Sequence, residues 1–518
     1  MGPKMTPRAF CERAVIVLTA MTCLSLSGGG SVNAETQSTQ SDAMVMTELG
    51  TIDFPNSGNE DAQQAFMTGV KALYSFQFDD AAVAFRAAQN TDQDFALAYW
   101  GEAMSLNHTL WGETDRDAAR KILAQFAATP DARADKTPAG KERGFMQAID
   151  VLYGEGDKLT RDKAYSQAMK DLYEAYPGDN EIATFYALSV LGTVRPGDKG
   201  VARQMRATAI SQAVFAKNPN HPGAAHFIIH ALDDPEHAIL ALPAARTYAS
   251  IAPDAPHALH MPSHIFVQLG MWDDVVRSNI ASYNAAVAIA ERTQSERGRS
   301  EFHSLSWRLY GDLQLGNLDG AEEALALARA TEEVSPTNRV HNGTMGMLAR
   351  YVIETENWDE LKGLALEKRD NSNLALQFAV GLSAAKRGDL ADAEKALENL
   401  IALREKSEAR TNGVYRAKII SVSEKELAAA IADSRGESTA AEALLRDAVA
   451  IETTLNAPSG PPVPVKPSFE MYGEFLLAAG RLSEAAEQFE FALTRTPNRT
   501  KSVLGLAKAQ PVQYGEAR

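Results

Sequence analysis

Seven of the ten histidines in this chain, His221, His226, His230, His237, His257, His260 and His264, fall within 44 residues. They lie in two stretches, HPGAAHFIIHALDDPEHA and DAPHALHMPSHIFVQLG. Neutral imidazole is the commonest side-chain ligand of transition metals, so such crowding points first to metal chemistry. His226 and His230 are four residues apart. On a helix that spacing sets both on one face about 6 Å apart along the axis, where two imidazoles can share an ion. His260 and His264 repeat the relation, with Pro262 marking a helix start between them. Were the two stretches neighbouring helices, the pairs would face each other and offer four nitrogens to a single ion. His257 is on nearly the same stripe but about 10 Å from His264 along a straight helix, which places it behind the ligands rather than among them. His303 stands thirteen residues before Gly316, as His257 stands thirteen before Gly270, and so projects to the same side one repeat further on. It is the candidate for a further ligand. Asp233, Asp234 and Glu236 follow His230 and could accept the second N–H of an imidazole or ligate directly.

The same residues exclude several chemistries. Phe227 and Met261 occupy the place where a peptidase helix of the H-E-x-x-H type carries its glutamate, so a zincin protease is rejected. The two cysteines, Cys11 and Cys23, both lie in an N-terminal segment expected to be removed, which leaves no thiolate ligand or nucleophile. An all-imidazole or imidazole-carboxylate site suits zinc, copper, iron or nickel. Iron with two histidines and a carboxylate would imply oxygenase chemistry. No glycine-rich phosphate loop, nucleophile elbow or dinucleotide fingerprint occurs, so no nucleotide cofactor is expected. The plainer alternative is that the histidines cap helices and satisfy buried polar groups. Asn107-His108 and Trp111 stand apart from any pattern.

Helices must position these side chains. Apolar residues recur at three and four from about Asp61 onward, turns are marked by Gly, Asn-Pro or Pro-Asn, and no strand-like alternation is present, so no β-sheet is expected. Near the C-terminus Gly473, Gly480, Ala485, Phe489, Ala492 and Pro497 form a G-x6-G-x4-A-x3-F-x2-A-x4-P series. The small residues let two antiparallel helices approach, Gly480 closes the first helix, Phe489 and Ala492 fill the seam, and Pro497 stops the second. The punctuation recurs at Gly381, Gly388, Ala393, Leu397 and Leu400, at Gly436, Ala441, Leu445 and Ala448, at Gly316, Ala321, Leu325 and Ala328, and at Gly69, Ala81, Phe85 and Ala88. Taking Gly270, Gly316, Asn357, Gly388, Gly436 and Gly480 as the turns inside helix pairs gives intervals of 31 to 48 residues. The array is therefore irregular.

This series resembles the tetratricopeptide repeat, and the histidine block followed by such repeats resembles large exported bacterial proteins of that family. The resemblance implies an all-α, irregular α-solenoid, a right-handed superhelix of antiparallel helix pairs, with a protein or peptide partner held in its concave groove. Members often clamp a carboxylate there with basic and Asn side chains. Histidines occupy those positions here, which departs from that pattern.

The ends set the remaining expectations. Lys4, Arg8 and Arg13 precede an uncharged apolar run, Ala14 to Leu26, and the small residues Val32 and Ala34, so residues 1–34 read as a signal peptide. Residues 35–60 read as a flexible polar leader, 61–510 as the repeat array with its histidine-rich block at 221–264 and a proline-rich loop at 457–468, and 511–518 as a tail. Cleavage removes three basic residues of 51 and one acid of 67, leaving 48 against 66 and a formal charge of −18. So negative a field disfavours nucleic acid. No later stretch is apolar enough to insert stably into a membrane. The reading is an exported, most simply periplasmic, repeat protein that binds partners and carries a histidine-lined metal site at His226, His230, His260, His264 and His303. The alternative is a metal-dependent enzyme, of oxygenase or hydrolase type, or a metal-handling protein.

Overall fold

The computed structural model describes residues 48–298, 301–364 and 366–510. The expected signal peptide and the tail at 511–518 lie outside them. Helices follow one another as antiparallel hairpins, from Glu60–Tyr74 and Phe78–Thr91 to Ser468–Ala478, Leu482–Arg495 and a last helix at Thr500–Ala509. The described residues form an all-α solenoid of antiparallel helix hairpins. One seam device recurs at both ends. Phe85 sits sixteen residues after Gly69 and sixteen before Gly101, and Phe489 sits the same distances from Gly473 and Gly505. Both rings are fully buried, and a Cβ on any of these four glycines would meet its phenylalanine at 3.0 Å or less. The helices can close only because no Cβ intervenes.

Most of the expected hairpin turns are where the glycines placed them. Gly270, Gly316, Gly388, Gly436 and Gly480 all adopt left-handed backbone, φ 66 to 83°, at the end of a first helix. Asn357 does not follow suit. The left-handed residue is Glu356, and the chain then runs through turns and a short 3₁₀ segment, Lys368–Ser372, before the helix Leu374–Arg387. The helix Asn338–Thr355 thus has no second helix directly after it, and this is why the interval there shortens to 31 residues.

Two further expectations need correction. A two-stranded antiparallel ladder does occur, Asn107–His108 with Glu113–Thr114, joined through Gly112 at φ 69°. Two residues per strand are too few to show the period-2 signature of a sheet. The leader expected over 35–60 is packed in its described part, since Leu49 and Phe54 are buried and Thr51 bonds through its backbone N–H to Asn220 O at 2.9 Å. The proline-rich loop at 457–468 is anchored to the rest of the array. Its Pro458 carbonyl accepts from Gln268 Nε2 at 2.9 Å and its Pro462 carbonyl from Arg350 at 2.9 Å, while Val465 and Lys466 are buried.

The C-terminal hairpins fold back onto the middle of the array. Arg499, fully buried, donates to both carboxylate oxygens of Glu470 at 2.8 and 2.9 Å and to Glu354 at 2.7 Å. The paired carboxylates hold its guanidinium charged against the cost of burial. The helix Glu301–Leu315 joins the two main apolar clusters: Trp307 and Tyr310 belong to the N-terminal one, Leu305 and Leu309 to the C-terminal one. No helix among the described residues is long and apolar enough to cross a membrane.

Candidate metal centre

The histidines come from the first helices of three consecutive hairpins: Pro222–Ala231, the broken helix Pro256–His260 with Pro262–Gln268, and Glu301–Leu315. His221 and Pro222 open the first, the His221 Nδ1 accepting the Ala224 N–H at 3.1 Å as an N-cap. His221 is thereby spent on structure, and His237 likewise, its Nδ1 held by Asp234 at 2.8 Å. His226 and His230 project from one face as the spacing requires, their ring centres 4.7 Å apart. Pro262 starts a new helix between His260 and His264, but Met261 keeps right-handed backbone, so the pair survives with Nε2 atoms 3.0 Å apart.

The structure does not bring the two pairs to one ion. It forms two groups of three: His226, His230 and His257, and His260, His264 and His303, each with its ligand nitrogens within 4.8 Å of one another. His303 joins the second group, as its register with Gly316 implied. His257 is the correction. Its Nε2 lies 3.1 Å from that of His226, because its partners sit on the neighbouring helix, and the distance to His264 along its own helix is irrelevant to them. Metal–imidazole bonds of about 2.0–2.1 Å place ligand nitrogens about 3.3–3.6 Å apart, close to these separations.

Acceptors behind the rings fix which nitrogen faces inward. His226 Nδ1–H donates to the Tyr74 carbonyl at 2.6 Å, and His264 Nδ1–H to Asp233 at 2.6 Å. His260 Nδ1–H donates to Asn279 Oδ1 at 2.6 Å, the Asn279 amide nitrogen being turned to the Val275 carbonyl. A neutral imidazole has a single N–H, so the Nε2 atoms of His226 and His260 present lone pairs to the centre. His230 Nε2 is buried with no hydrogen-bond partner. Burial pushes His226, His230, His257 and His260 well below the ordinary imidazole range, and neighbouring rings add to it. They are neutral, the form that ligates. Asp233 also accepts from Gln268 at 3.2 Å, while Asp234 accepts the backbone N–H groups of Glu236 and His237 and Glu236 does not enter either group.

No family model matches the chain, and no curated protein matches it. Among solved structures it overlaps the Cut9–Hcn1 hetero-tetramer of the APC/C at 12% identity and TM-score 0.33, over 89% of this chain and 78% of that one. It overlaps yeast Tom70 at 13% and 0.34, over 86% and 94%, and the human IFIT1 dimer with m7Gppp-AAAA at 12% and 0.35, over 88% and 90%. Overlaps this loose carry nothing about ligand or partner.

Aromatic residues that sequence reasoning passed over wall the centre. Phe76, at φ 55°, sets its ring 4.4 Å from His226, 5.5 Å from His257 and 5.7 Å from His230. A non-glycine residue in that region is uncommon and costs free energy, so the packing around it must impose the conformation. Trp307 lies 4.3 Å from His264 and 4.9 Å from His260. Trp111, half exposed on the small β-hairpin, stands edge-on to His257 at 5.9 Å, and His303 is the most open of the six imidazoles. The aromatic run Tyr74-Ser75-Phe76-Gln77-Phe78 was the available signal for this wall.

Proposed function

We propose that this chain is an exported repeat protein whose central hairpins bind transition-metal ions, one in each group of three histidines. One observation carries the reading. The Nε2 atoms of His260 and His264 are 3.0 Å apart, and both Nδ1 atoms are committed as donors. Two lone pairs cannot bond to each other, and their convergence suits a cation shared by both rings. Burial opposes supplying that cation as a proton on His260. A metal ion needs no such charge on the ring, and zinc, copper, iron and nickel all accept imidazole. The orphaned Nε2 of His230 makes the same case for the other group.

The test is metal analysis of full-length protein purified without chelator. Up to two equivalents should be found, and His226→Ala with His230→Ala, or His260→Ala with His264→Ala, should each remove one. Absence of metal under every loading condition would refute the reading and return the histidines to structural roles. Export rests on the N-terminal basic and apolar pattern, and sequencing of secreted material should begin at or near Glu35.

A further inference from the structure

We infer that the two groups hold copper as a pair, close enough for one dioxygen molecule to bridge both ions. The inference rests on the metal-binding reading and adds the metal, the coupling and the ligand. Its first support is proximity. Ring centres of His230 and His264, in different groups, are 6.1 Å apart, and those of His257 and His260 are 6.3 Å apart. The widest separations inside the groups are the same, 6.1 Å for His230 and His257 and 6.4 Å for His264 and His303. The groups therefore adjoin side by side. Ions seated in both would be near neighbours, the arrangement in which one small ligand can span two metals.

The donor set supports copper. Each group is three imidazoles with no thiolate and no carboxylate. Asp233, the acid nearest, is occupied behind His264 by the imidazole Nδ1–H and by Gln268. Non-haem iron sites that activate oxygen rely on a carboxylate ligand, and manganese and magnesium want oxygen donors. Imidazole serves both oxidation states of copper, and Cu(II) heads the affinity order for such donors. Three ligands leave each ion a position free. Phe76 packs on the first group and Trp307 on the second, so the imidazoles have apolar surroundings, which suit a small apolar ligand.

The oxidation step balances without a proton. When both ions are Cu(I), each gives one electron to dioxygen, the O–O double bond becomes single, and peroxide lies between two Cu(II) ions. Two protons from solvent would release the peroxide as hydrogen peroxide, and two electrons from a one-electron donor such as ascorbate would return both metals to Cu(I).

The experiment uses full-length mature protein loaded anaerobically with Cu(I), freed of reductant and then exposed to dioxygen. Copper per chain, oxygen consumed and the Cu(II) electron-spin signal are measured together. The expected result is two coppers per chain, one dioxygen per two coppers, and a near-complete loss of spin signal because the bridged ions couple. His303→Ala should drop one copper and make the remaining Cu(II) visible as a full single spin. His230→Ala should do the same from the other group, and circular dichroism checks that both variants are folded. Two coppers with two separate spins would overturn the pair and leave the metal reading standing, as would one copper alone, or zinc held where copper is refused. No bound metal of any kind would overturn both.

Discussion

Asp233 offers a test of the centre that touches no ligand. Its Oδ2 accepts from His264 Nδ1 at 2.6 Å and its Oδ1 from Gln268 Nε2 at 3.2 Å. Asp233→Asn keeps the shape but removes the charge and one acceptor. If the amide oxygen takes the imidazole proton, the amide nitrogen faces the Gln268 donor, and one of the two contacts must break. The His264 ring then loses both orientation and the basicity lent by a carboxylate. Changes of this kind cost about 10–100-fold in metal affinity, which is about 1.4–2.8 kcal/mol at 1.4 kcal/mol per decade. The loss should also show in melting. A metal at a hundred times its Kd stabilises the fold by about 2.7 kcal/mol, and a hundredfold weaker site at the same concentration by only about 0.4 kcal/mol. Competition with a chelator measures the affinity, and melting with and without chelator measures the stabilisation, with the metal-free variant as control for the altered charge. Metal affinity within twofold of wild type would show that Asp233 does not orient His264, and the lone-pair argument would lose its anchor.

Two other perturbations probe the surroundings. Gly460→Ala adds a Cβ that would overlap the Trp307 indole, whose ring packs on His264, so metal affinity should fall several-fold with every ligand intact; unchanged affinity with unchanged tryptophan fluorescence would show that the ring yields freely. His341 is a separate pH sensor. Its burial favours the neutral ring, but Glu332 and Asp370, each 2.6 Å from a ring nitrogen, outweigh that and raise its pKa. A raised folded pKa means stability that is complete below the unfolded value of about 6.5 and lost as pH climbs through the folded one. Wild type should exceed His341→Gln in melting temperature more at pH 6 than at pH 9, and an equal difference at both would refute the charged pairing.

What the sequence disclosed about this centre depended on whether a signal was carried by spacing on one helix. The i,i+4 pairs and the register of His303 against Gly316 are such signals, and the structure realises them. The sequence misplaces His257 because residues 256–268 read as one straight helix, on which only its distance to His264 is legible. Its partners are on the preceding hairpin, and no spacing within a single segment reports a contact between two. The Tyr74 carbonyl and the strained backbone of Phe76 were invisible for a related reason, since backbone acceptors and φ angles leave no residue type to read. The repeat itself was legible wherever glycine faced phenylalanine. It failed at Asn357, where a polar stretch replaces the second helix and the residue taking left-handed backbone is Glu356.

The way the six histidines are shared follows from the repeat. One hairpin contributes His226 and His230, and the next supplies His257 to complete that group and His260 and His264 to begin another, which His303 from the third hairpin completes. Each group therefore straddles a seam between hairpins, and neither can form within a single one. In a solenoid, stability is roughly a sum of unit and nearest-neighbour terms, so an ion held across a seam adds to the neighbour term at that seam. Two such seams meet at the segment Pro256–Gln268, which supplies His257 to one neighbour and His260 and His264 to the other group.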